Sequence, residues 1–179
     1  GDIIPRITGA LGEQPKGLVA WVPPANCPNC GKPWNKDEVI WRCESPECST
    51  VGRITYAAQR EILDIENLGV EVATALCESG LVSNIADLFD LTVDDVANTE
   101  LSEKTATGRV RKIGMKNATK IVANIEKSKS QPLSRWLAAL GIRTLGKTFG
   151  RRLAKQFGTL DAIRNATVED FTRIENVAE

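Results

Sequence analysis

No histidine occurs anywhere in this chain of 179 residues. A metal centre that keeps an open, water-bearing position would therefore need an unusual ligand set. No apolar run is long enough to cross a bilayer, and nothing at the N-terminus resembles a signal peptide. Net charge is absent as well, with 23 basic side chains against 23 acidic ones.

That balance conceals a segregation. Residues 56–103 carry one basic and eleven acidic side chains, whereas residues 104–155 carry fourteen basic and one acidic. Such a basic stretch is the footprint expected for a polyanion. The bland alternative, a solvated helix face, is weakened because almost no acid is interleaved to form surface pairs. Aromatic residues are only 5% of the chain. Phe89, Trp136, Phe149 and Phe157 sit at apolar helical positions, so core packing is expected of them rather than base readout.

An apolar residue followed by glycine recurs at expected helix starts: Leu68-Gly69, Ile113-Gly114, Leu145-Gly146 and a degenerate Val177-Ala178. A small residue lies four positions after the first three glycines, at Ala73, Ala118 and Gly150. This is helix-hairpin-helix spacing, in which free amides at the helix start can hold a phosphate oxygen. The intervening segments repeat too. Ile85-Ala86-Asp87-Leu88 with Thr92-x-x-Asp95 corresponds to Leu160-Asp161-Ala162-Ile163 with Thr167-x-x-Asp170, each Thr-x-x-Asp reading as a helix N-cap. The usual leading glycine is replaced by Asn67, Lys112, Thr144 and Asn176. Asparagine tolerates a left-handed turn better than lysine or threonine, so hairpins two and three are expected to bend differently. Apolar stripes run along Val70, Ala73, Leu76 and Cys77; Ile121, Val122 and Ile125; Leu133, Trp136, Leu137 and Leu140; and Leu153, Ala154 and Phe157. Gly80 and Gly158 fall where helix C-caps belong.

Cys27, Cys30, Cys43 and Cys48 form C-x2-C-x12-C-x4-C, with Pro28 and Gly31 at the first knuckle. Two close thiolate pairs across a short loop suit a closed, structural, four-sulfur zinc site. A rubredoxin-like iron site and disulfides are the rivals. The odd total of five cysteines fits a reduced compartment better than disulfides, and Cys77 reads as a buried small hydrophobe.

The expected architecture is mainly α: tandem helix-hairpin-helix, as two (HhH)2 units, preceded by a small four-cysteine zinc finger and a terminal strand and linker. The divisions are 1–22 for strand and linker, 23–55 for the finger, and 56–179 for the hairpins near 67–69, 112–114, 144–146 and 176–178. Helical pattern begins at about Tyr56, and both ends read as cut, so the chain is expected to be a fragment. The candidate backbone-binding residues are Gly69, Lys112, Gly114, Lys116, Lys120, Arg143, Gly146, Lys147, Arg151 and Arg152. Hairpin one, flanked by Glu66 and Glu71, is expected to contribute less.

The order of these parts resembles the bacterial NAD-dependent DNA ligase family. The resemblance is carried by Gly1-Asp2-Ile3-Ile4-Pro5, similar to the closing strand of that family's oligonucleotide-binding (OB) barrel, and by the finger directly after it. It is carried also by Leu63-Asp64-Ile65-Glu66-Asn67-Leu68-Gly69, Ala86-Asp87-Leu88-Phe89-Asp90-Leu91-Thr92 and Leu140-Gly141-Ile142-Arg143-Thr144-Leu145-Gly146. It implies a parent enzyme that seals nicks in double-stranded DNA during replication and repair. Its hairpins would press on the minor groove and phosphate backbone while the barrel and adenylation domain of the same chain close around the nick. It also implies one structural zinc, NAD used by the parent but not bound here, and residence in the bacterial cytoplasm with the nucleoid. The family's Lys-x-Asp-Gly nucleophile motif is absent, so the fragment itself is expected to be catalytically inactive. Two rivals remain. A non-catalytic DNA-repair scaffold or junction-binding subunit could carry the same tandem hairpins. A glycosylase-lyase could use Gly114-Met115-Lys116-Asn117-Ala118, but residues 127–160 hold no Asp or Glu to complete that site.

Overall fold

The computed structural model describes residues 9, 17, 19, 21–37, 39–104 and 110–174. The expected opening strand and the fourth hairpin, Asn176-Val177-Ala178, lie outside the described residues. The elements run α1 (Pro46–Ala58), α2 (Val70–Glu78), a 3₁₀ turn (Ala86–Asp90), α3 (Val93–Asn98), β1 (Glu100–Lys104), β2 (Val110–Lys112), α4 (Met115–Ser128), α5 (Leu133–Ala139), α6 (Lys147–Phe157), α7 (Leu160–Arg164) and α8 (Val168–Thr172). Among the described residues, no helix is long and apolar enough to cross a membrane.

Each helix of a hairpin buries one face against its partner. α1 packs on α2, α3 on α4, and α5 on α6. The small residues after the glycines explain how closely they approach. Ala73 and Ala118 are fully buried, and at Gly150 an added Cβ would lie 2.6 Å from the carbonyl oxygen of Ser134. Only hydrogen fits there.

Among the described residues, two apolar interiors result. The larger joins α1 to α4, with Ile54, Ile62, Leu63, Leu76, Leu88, Val96 and Ile121 among its residues, and takes Ala138 and Ala139 from α5. The smaller gathers Leu137, Leu145, Leu153 and Ile174, flanked by Phe149, Phe157 and Phe171. Helix α5 thus contributes to both. Phe89 and Trp136 pack against the larger interior, their ring centroids 5.4 Å apart.

Several expectations are corrected. Helix begins at Pro46 rather than near Tyr56, so α1 runs across the expected division at 55/56. Val70, placed on an apolar stripe, is 67% exposed, and Leu140 is 51% exposed. Val70 is the first residue of α2 and Leu140 follows the last residue of α5, so each lies where the helical face no longer meets its neighbour. Strands β1 and β2 form a short antiparallel ribbon, with Glu100 opposite Lys112 and Leu101 opposite Arg111. Cys77 is half-buried beside the larger interior, and burial pushes its thiol pKa up.

Candidate metal centre and backbone-binding surface

The four finger cysteines converge. Cys27 and Gly31 close the first knuckle: Gly31 donates its amide to the Cys27 carbonyl at 2.8 Å, and Cys27 donates to the Lys32 carbonyl at 2.8 Å. Asn35 and Arg42 pair through two backbone bonds and bring Cys43 back towards the knuckle. Cys48 then enters from the first turn of α1.

All four sulfurs lie within 4.8 Å of one another. Cys27 and Cys48 are 4.0 Å apart, Cys30 and Cys43 3.4 Å apart, and none is disulfide-bonded. Tetrahedral zinc with Zn–S bonds of ~2.3 Å would hold its sulfurs about 3.8 Å apart. The residues fit such an ion. The thiols also cannot all ionise side by side without one. The Lys32 backbone amide lowers the Cys30 pKa to about 7, whereas the Cys30 sulfur first, and burial second, push Cys48 up to about 12.

The three described hairpins each end in a glycine at the N-cap of the next helix: Gly69 before α2, Gly114 before α4, Gly146 before α6. No side chain caps any of the three. The first internal bonds come from Ala73, Ala118 and Gly150, which donate to the carbonyls of those glycines. Amides ahead of them sit at the positive end of the helix dipole, where an anion is stabilised.

The turns differ. Asn67 has φ 66° and Thr144 has φ 68°, and two residues after each comes an extended glycine, Gly69 or Gly146. Hairpins one and three therefore share one bend, contrary to the expectation for threonine. A β-branched residue there is strained. Hairpin two bends differently, as expected for its lysine: Lys112 lies in β2, and the left-handed position moves to Gly114, φ 79°. A side chain with a Cβ would be strained at that angle.

Of the cations singled out from sequence, Lys112, Lys116, Lys120, Arg143, Lys147 and Arg151 are exposed and Arg152 is half-buried. The first turns of α4 and α6 contain no acid, whereas α2 carries Glu71. Lys147 is ion-paired with Glu61, a partner 86 residues away that no local pattern reveals. Arg135 is engaged structurally, donating to the carbonyls of Arg60 and Ile62 and to the Gln131 side chain.

Helices α3, α7 and α8 are built otherwise. Thr92 and Asp95 form a reciprocal capping box on α3, Thr167 and Asp170 form one on α8, and Thr159 caps α7. The Thr92 hydroxyl first, and its backbone amide second, hold the Asp95 carboxyl below its ordinary range. Asp170 is lowered by the Thr167 backbone amide and then its hydroxyl. Asp87 is lowered likewise, accepting bonds from Ser83 and Asn84 ahead of the 3₁₀ turn.

A family model for the helix-hairpin-helix motif matches residues 135–179. Over 99% of its length the chain is 47% identical to a protein named DNA ligase 2 from Pseudarthrobacter chlorophenolicus, covering 26% of that protein. It is 39% identical to DNA ligase 1 of Deinococcus deserti, again over 99% of the chain and 26% of the relative. Against a DNA ligase of Coprothermobacter proteolyticus the identity is 34%, over 99% of the chain and 25% of the relative. The chain thus spans about a quarter of the length of these relatives.

Proposed function

Since the chain corresponds along nearly its whole length to one segment of bacterial DNA ligases, we propose that it is the duplex-binding region of an NAD-dependent, nick-sealing DNA ligase. Residues 23–55 form its zinc finger and residues 56–179 its hairpin region, with α1 running from one into the other. The parent enzyme acts in the bacterial cytoplasm, at the nucleoid, in replication and repair. Its NAD-binding and adenylation chemistry resides elsewhere in the parent chain, and this segment is catalytically silent.

Cys27, Cys30, Cys43 and Cys48 hold one structural zinc. The ion supplies the folding free energy that a module of this size lacks, about 10–16 kcal/mol in comparable peptides. Gly69, Gly114 and Gly146 let backbone amides approach phosphate oxygens from the minor-groove side. Lys112, Lys116 and Lys120 of hairpin two, and Arg143, Lys147, Arg151 and Arg152 of hairpin three, supply the counter-charge. Because phosphates carry no base identity, binding is general for duplex and steeply salt-dependent.

The observation that carries this reading is that α4 and α6 each start at a bare glycine beside exposed cations, with no acid in the first turn. Filter binding of a nicked duplex tests it. Lys116→Glu should weaken affinity at least tenfold and flatten the salt dependence by about one unit of slope. An unchanged titration would count against the reading. Elemental analysis should return one zinc per chain.

A further inference from the structure

The two sequence repeats differ in length at one place. Gly114 of hairpin two follows Thr92 by 22 residues, whereas Ala178 follows the matching Thr167 by 11. Within its longer stretch the first repeat holds strands β1 and β2. The second repeat has no room for such a pair.

The base of this ribbon is tied to hairpin two. Ile113 donates its amide to the Thr99 carbonyl and Gly114 donates to the Ala97 carbonyl, each at 3.1 Å. Leu101 is buried in the larger interior, and β1 packs against α2. The ribbon is thereby held at a set angle to the uncapped start of α4. Its second strand covers nothing: Val110, Arg111 and Lys112 are all exposed.

A ribbon made only for packing would alternate apolar and polar residues along each strand. β2 carries charge instead. Lys112 faces the exposed Glu100, while Arg111 faces the apolar Leu101. Neither cation has an ion-pair partner among the described residues. Neighbours on a strand point to opposite faces, so one cation emerges on each side of β2. Lys116 and Lys120 continue the charge along α4, whose first turn holds no acid.

We propose that the β1–β2 ribbon is an additional binding site for the sugar-phosphate backbone, in which Arg111, with Lys112, extends the contact of hairpin two along the duplex. The first repeat then grips more phosphates than the second, and the footprint is lopsided. This rests on the duplex-binding reading above. The duplex is the occupant because the strand is cationic and runs without a break into the helix start that holds the polymer. The Arg111 guanidinium suits this role, since its paired N–H donors match phosphate oxygens two at a time.

The test is duplex binding by the whole metal-loaded chain as a function of salt, combined with phosphate-ethylation interference. Arg111→Gln should lower the salt slope by about one unit and lose interference at phosphates that Lys116→Glu leaves in place. Arg111→Lys, which keeps the charge, should recover most of the slope. Glu100→Gln, which strips the carboxylate facing Lys112, should tighten binding, a gain that misfolding cannot mimic. Unchanged slope and interference in Arg111→Gln, alongside a clear effect of Lys116→Glu, would overturn the ribbon site and leave the hairpin reading standing. No duplex binding by the unaltered chain would sink both.

Discussion

The three helices that leave a hairpin glycine and three of the shorter helices elsewhere begin in opposite ways. α2, α4 and α6 start at a bare glycine, while α3, α7 and α8 start at a threonine whose hydroxyl accepts a bond from the first turn. Length accounts for part of this. α7 and α8 have five residues each, too few to stand without a cap, whereas α4 has fourteen and α6 eleven, with a packed face to hold them. On the duplex-binding reading proposed above, what remains is functional. A capped helix has already used the amides that a phosphate would need.

The largest disturbance to this contrast should come from the face that lets a hairpin helix do without a cap. Gly150→Ala would force its methyl against the Ser134 carbonyl. It should cost about 1–3 kcal/mol and lower the melting temperature, and weaken duplex binding by moving α6.

Removing a linker cap should be milder and should spare binding. Thr92→Ala is expected to cost about 1 kcal/mol, with duplex affinity unchanged in the same filter assay. The acid limb sharpens the point. Asp95 titrates below its ordinary range in the folded chain, so its contribution is complete above that range and lost as pH falls through the lowered value. Thr92→Ala should therefore flatten the loss of stability on acidification, measured by denaturant melts across pH.

The smallest effect on stability should come from giving a hairpin helix the other kind of start. Gly146 has φ −88° with nothing within 4 Å of a Cβ, so serine fits there. Gly146→Ser should gain a few tenths of a kcal/mol yet reduce duplex affinity, because its hydroxyl takes an amide. A more stable variant that binds as well as before would erase the contrast.

Local signals made most of this legible. Thr92-x-x-Asp95 and Thr167-x-x-Asp170 announce capping boxes because all four partners lie within one turn. The cysteine spacing announces a cluster for the same reason, and Ala73, Ala118 and Gly150 announce close helix contacts. Long-range pairings were not legible. The meeting of Glu61 with Lys147 depends on how α1 packs. The pairing of β1 with β2 has no apolar alternation to betray it: Leu101 is buried, while Glu100, Val110, Arg111 and Lys112 are exposed. Thr144 misled in the other direction. Its side chain disfavours the left-handed bend, but the packing of α5 on α6 imposes it.

Helix α5 has seven residues and belongs to two interiors at once, giving Leu137 to one and Ala138 and Ala139 to the other. Neither side can melt without stripping a wall from its neighbour. Heat or denaturant should accordingly take the helical region apart in one cooperative step rather than two.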